Sequence, residues 1–121
     1  MEVRYHNSPS ETAQMNTDQL RDQFLIEKLM LPKEVKLVYS HYDRVIVGGT
    51  MPLEHETVLP NPDPLKAAYF LERREIGIIN VGGKGEVIAD GSSYSLNKLD
   101  CLYLGKGTKS VRFKSLQSAD P

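Results

Sequence analysis

Polar positions dominate the first fifteen residues, "MEVRYHNSPSETAQM", where Pro9 sits among serines and no apolar periodicity develops. Residues 1–15 are therefore expected to form an extended arm lying on the domain or on a neighbour. The next stretch, "NTDQLRDQF", places Asn16 as an N-cap with Gln19 three residues later, and Leu20 and Phe24 one turn apart. That spacing predicts one short helix over 16–24. Beyond it, from "FLIEKLML", the period shortens toward two. In "VKLVYSH", Val35, Leu37, Tyr39 and His41 share one face, and Lys36, Val38 and Ser40 share the other. Strands are predicted to dominate 25–116.

The turn signals agree with that reading. Gly48-Gly49 is expected to close "DRVIV", "PNPDP" (Pro60 to Pro64) to forbid regular structure, Gly82-Gly83 to close "IGIINV", and Asp90-Gly91 to join "GEVIA" to "SYSL" as a hairpin. Short strands punctuated in this way predict an all-β sandwich or barrel. "GGKG" at Gly82 to Gly85 is not a phosphate cradle, because "EVIADG" after it reads as a strand where a P-loop needs a helix. Tight turns that exploit positive φ are expected there and at "GKG", Gly105 to Gly107.

Composition removes whole classes of function. The 121 residues suit one domain able to bury roughly two-thirds of its unfolded surface. Fifteen Lys and Arg against sixteen Asp and Glu give a formal charge of -1, so no basic field favours nucleic acid or an anionic membrane. No apolar run approaches the ~20 residues of a membrane span. Cys101 is the one cysteine and no apolar leader follows a charged start, which predicts a reduced, cytoplasmic protein. His6, His41 and His55 stand apart, without the H-x-H or H-x-x-x-H spacing of paired metal ligands, and His41 reads as a half-buried member of its strand face. Cys101 reads as a small strand hydrophobe.

The most unusual segment is "FLERREIGIINVGGKG", in which Glu72, Arg73, Arg74 and Glu75 interrupt an apolar run. Together with "GKGEVIADGSSYSLNKLDCLYLGKG", it resembles one cupin half in its order of glycine turn, strand ending in Asp-Gly, polar strand, Asp-led strand and second glycine turn. The histidines of a metal-binding cupin are absent.

"LRDQFLIEKLMLP", "YSHYDRVIVGGTMP", "YFLERREIGIINVGGKG", "ADG" and "LYLGKGTKSVRF" together cover nearly the whole chain. They resemble the N-terminal half of the 5-keto-4-deoxyuronate isomerases, also called 4-deoxy-L-threo-5-hexosulose-uronate ketol-isomerases. The resemblance implies a cytoplasmic two-cupin subunit of pectin and uronate breakdown that converts 5-keto-4-deoxyuronate to 2,5-diketo-3-deoxygluconate and assembles as a homo-oligomer, a hexamer. It implies zinc in a second half, held by an H-T-H-E-R-R motif, a glutamate and a later histidine. Aligned on E-R-R, those two histidines fall on Tyr69 and Leu71 here, so no zinc ligand carries over. The expectation is a truncated or partial sequence whose half is non-catalytic and structural, an isomerase by resemblance but inactive alone. A stand-alone cupin-like assembly or binding module is the alternative.

For the four charged residues two readings compete. Glu72, Arg73, Arg74 and Glu75 form a structural charge network at the start of a buried strand, with carboxylates meeting guanidinium groups of neighbouring elements. Alternatively Arg73 or Arg74 clamps the carboxylate of a sugar acid, which a bidentate fork suits. One outcome is independent of that choice. Neither glycine loop opens a helix, so calorimetry is expected to detect no micromolar affinity for ATP or NAD.

Overall fold

The computed structural model describes residues 1–121. Nine strands carry it: β1 (Glu2–Arg4), β2 (Val35–Ser40), β3 (Val45–Thr50), β4 (Thr57–Val58), β5 (Ile76–Ile79), β6 (Gly85–Ala89), β7 (Ser92–Leu96), β8 (Cys101–Leu104) and β9 (Val111–Ser115). The helices are α1 (Pro9–Thr12) and α2 (Thr17–Phe24). Three sheets result, ordered β1-β2-β3, β4-β9-β6-β7 and β5-β8. All pairings are antiparallel except that of β1 with β2. The all-β class is as expected. No helix is long and apolar enough to cross a membrane.

The core forms where alternating apolar positions of these sheets face one another. Leu37 of β2, Val87 and Ala89 of β6, Leu96 of β7, Leu104 of β8 and Val111 of β9 are buried together with Leu65, Phe70 and Leu71 from the connection before β5. The opposite face of β2 is also closed. Val38 is 0% exposed. The segment after α2 crosses that face, with the Lys36 ammonium donating to the carbonyl of Glu27 at 3.0 Å.

Local chemistry explains which predicted elements survive. Asn16 caps α2 reciprocally with Gln19, each backbone N–H donating to the other's side chain at 2.9 Å. Asp90 at φ 47° and Gly91 at φ 85° form the two-residue turn between β6 and β7, with Ala89 opposite Ser92. Two positive φ values match the right-handed twist of the flanking strands.

Other expectations are corrected. The arm over 1–15 contains β1 and the one-turn helix α1, whose Ser8 cap and Glu11 bond reciprocally. Residues 25–34 contain no strand, because this stretch serves as the cover over β2 and β3. Gly48 and Gly49 lie inside β3 and close nothing. A Cβ on Gly49 would stand 2.8 Å from the Leu29 carbonyl oxygen, so the covering segment is what excludes a side chain. Gly82 and Gly83 likewise lack positive φ. They are small because residues 117–121 press on them, and Gly83 donates its N–H to the Asp120 carbonyl at 2.7 Å. Gly107, at φ 97°, does use its conformational freedom, whereas Gly105 does not. Within "PNPDP" a 3-10 turn starts, running Asp63–Leu65.

Asp90 also joins two turns. Its carboxylate accepts the backbone N–H groups of Lys109 at 3.0 Å and Ser110 at 2.9 Å, fastening the β6–β7 turn to the approach to β9. Charge-assisted bonds of this kind are stronger than neutral ones, though exposure to water weakens them. Asp90→Ala is expected to lower the free energy of unfolding by about 1–2 kcal/mol in urea titration, and Asp90→Asn by less, since asparagine keeps one acceptor and tolerates positive φ.

Candidate functional site

The inner faces of the sheets do not close completely. Val35 of β2, Ile46 of β3, Ile76 and Ile78 of β5, Val87 of β6 and Phe113 of β9 line a cavity of about 670 Å³. All but Val87 stay partly exposed, so the apolar wall is accessible from solvent. Arg74 and Glu75, at the entry to β5, supply charge to this wall.

The segment that delivers them is a bend rather than the start of a strand. The Glu72 N–H donates to the Tyr69 carbonyl at 3.1 Å, and β5 begins only at Ile76. Turning there sends the four charged side chains in different directions. The Glu72 carboxylate accepts the Ala68 N–H at 3.1 Å. Arg73 donates to the carbonyls of Leu65 at 3.1 Å and Lys66 at 2.8 Å, and its Nε stands 3.8 Å from Glu72. Glu75 accepts the Tyr103 hydroxyl at 2.7 Å. The guanidinium carbon of Arg74 lies 5.7 Å from the centre of the Tyr39 ring.

One network of carboxylates and guanidinium groups is therefore not formed. Glu72 and Arg73 are the single ion pair within the four, and the remaining contacts go to backbone and aromatic groups. The two arginines, equivalent in sequence, also separate. Arg73 is committed to backbone carbonyls, whereas Arg74 is half-buried with no hydrogen bond or ion pair of its own, its fork accessible from the cavity. Behind Arg74 stands an aromatic stack. His41 lies edge-on to Tyr39 with ring centres 5.2 Å apart, and Tyr5 stacks on His41 at 4.5 Å. Tyr39 and Tyr103, the partners of Arg74 and Glu75, had no local signature because each comes from a strand far along the chain.

No group of three or more His, Cys, Asp or Glu side chains is placed to hold a metal ion. The donors here do not fit a zinc site. His6 sits in the arm with its ring edge toward Tyr42, His41 in the stack and His55 on an exposed loop, while Cys101 is exposed on β8. Leu71, where the resemblance puts a histidine in the metal half, is 1% exposed and packed in the core. Tyr69 is half-buried beside it in sequence.

No family model matches the chain. Curated relatives match all 121 residues: one from Halalkalibacterium halodurans is 50% identical, one from Lachnoclostridium phytofermentans 46% and one from Caldicellulosiruptor bescii 47%. Each is named 4-deoxy-L-threo-5-hexosulose-uronate ketol-isomerase. This chain is a relative of those ketol-isomerases. It spans about 44% of their length. The matches extend over the whole chain, from the arm through β9.

The Glu75–Tyr103 contact can be measured directly. Accepting the phenol proton, Glu75 holds the Tyr103 hydroxyl above its ordinary value of 10.0, with desolvation and the carboxylate charge acting the same way. A raised folded-state value means that the stabilisation is complete below the unfolded value and is lost as pH rises through the folded one. Among the six tyrosines, the phenolate absorbance removed by Tyr103→Phe is expected to titrate above the ordinary value, and Glu75→Gln to bring it down.

Proposed function

We propose that this chain is the N-terminal cupin-like part of a ketol-isomerase of pectin and uronate breakdown. The whole enzyme would convert 5-keto-4-deoxyuronate to 2,5-diketo-3-deoxygluconate in the cytoplasm, by moving a proton between neighbouring carbons. One observation carries the reading: relatives bearing the isomerase name are 45–50% identical over the full 121 residues. The side chains here do not fit zinc, so the ion implied by the family resemblance belongs to a part of the enzyme outside this chain. This part then acts as a non-catalytic scaffold within a homo-oligomer, a hexamer, with a sugar acid as the substrate of the intact enzyme. A stand-alone binding module is the second reading, favoured by the open cavity of about 670 Å³.

The test compares the 121-residue chain with the isomerase of one of its relatives, following ketouronate conversion and bound zinc in parallel. The chain alone is expected to turn over no faster than background and to retain no stoichiometric zinc. General acid or base groups without a strong electrophile contribute only about 10²–10⁴-fold. Turnover matching the relative's, or one tightly held zinc per chain, would refute the assignment of the chemistry to another part. An H-T-H-E-R-R sequence encoded in frame after Pro121 is the expected result of reading the gene further.

A further inference from the structure

We propose that the cavity beneath β5 binds a compact organic carboxylate of the uronate class, with Arg74 as the anion anchor and Tyr39 as the residue that positions it. The choice of a uronate rests on the isomerase reading above; the choice of an anion does not. A cavity of about 670 Å³ falls within the roughly 300–1,000 Å³ of small-molecule sites and accommodates a monosaccharide.

Charge along the wall favours an anion. Of the cationic side chains on the lining, Arg44, Arg74 and Lys84 take part in no ion pair, whereas Lys114 is 4.0 Å from Glu86. On the acidic side, Glu86 is near Lys114 and accepts the Ser93 hydroxyl, while Glu75, bonded only to the neutral Tyr103 hydroxyl, and Asp43 keep their charge, two against the three unpaired cations. Exposed Arg44 and Lys84 are solvated and supply a general field. Arg74 differs from both. Half-buried and 5.7 Å from the centre of the Tyr39 ring, it has already lost part of its water, yet its donors have no acceptor in the protein. A carboxylate offers the two parallel acceptors that the planar fork matches.

The neighbouring groups suit a sugar body. Ile76, Ile78 and Phe113 offer an apolar wall to a ring's carbon face. Tyr39 is a positioning residue. Its ring, edged by His41, attracts the Arg74 guanidinium from 5.7 Å and holds it beside the cavity wall.

Calorimetry of the purified protein with D-galacturonate, against D-galactose as the neutral counterpart, tests the proposal. Galacturonate is expected to bind at least about tenfold more tightly than galactose, because one charge-assisted bidentate contact separates them. Arg74→Lys is expected to weaken galacturonate binding about tenfold and Arg74→Gln to abolish the preference over galactose. Tyr39→Leu should weaken galacturonate binding about three- to fivefold, Tyr39→Phe should restore it, and galactose binding should change in neither variant, whereas loss of packing would weaken both sugars alike. Arg73→Lys should leave affinity unchanged. Melting temperatures measured alongside identify any variant that fails to fold; the Arg74→Lys and Tyr39→Phe comparison then carries the test. Equal affinity for the two sugars, absence of galacturonate binding because the cavity receives a protein segment, or equal loss from Arg73→Lys and Arg74→Lys would overturn the proposal. A longer gene product that isomerises the ketouronate yet shows no Arg74-dependent galacturonate binding refutes this inference alone. Arg74-dependent binding in a gene product that never isomerises refutes the isomerase reading alone.

Discussion

The burial of Leu71 is the constraint on which the surrounding architecture depends. Its side chain is enclosed in the core while its carbonyl accepts the Gly107 N–H at 2.7 Å, so one residue ties the bend before β5 both to the apolar interior and to the turn after β8. Interiors are packed tightly enough that such a side chain has one place to go. With Leu71 fixed, the chain has four residues in which to turn before Ile76 must pair with Leu104. The directions of Arg73, Arg74 and Glu75 follow from that short path.

Four consecutive charges are accommodated there largely without ion pairing. Exposed ion pairs contribute little, typically 0 to about 1 kcal/mol, and a pair between adjacent residues such as Glu72 and Arg73 is poorly aligned at 3.8 Å. Backbone groups do better because they are already fixed. Arg73 satisfies the carbonyls of Leu65 and Lys66, where the 3-10 segment ends and the next turn offers them no backbone N–H.

Elements whose cause is local were legible in the sequence. The reciprocal cap of Asn16 and Gln19, and the Asp90-Gly91 turn, depend on side chains within a few residues of the backbone they bond. The alternation in β2 identified the inner face through Leu37 but underrated the outer one, because the cover over Val38 comes from residues 25–34, which carry no strand signal. Gly49, Gly82 and Gly83 resembled turn residues for the same reason. Their smallness answers to backbone brought close from elsewhere, and glycine in a sequence does not distinguish positive φ from close approach. At the candidate site, "ERRE" announced charge but not its division. That division is decided by Tyr39 and Tyr103, and pairings across 28 or more residues leave no periodic trace.

The parallel pairing of β1 with β2 carries a consequence for the order of assembly. An antiparallel hairpin such as β2-β3 closes a four-residue connection, whereas Glu2 meets Val38 only after more than thirty intervening residues have been arranged. Loop closure costs more as the loop lengthens, and a three-residue strand offers few bonds in return. The arm is thus the late-forming, early-fraying part of the first sheet, opening at a free energy well below that of global unfolding. Because it carries Tyr5, each opening uncovers His41 and lets water reach the stack behind Arg74. Slow amide exchange is then to be sought in β2, β6 and β9, and fast exchange at the chain's first strand.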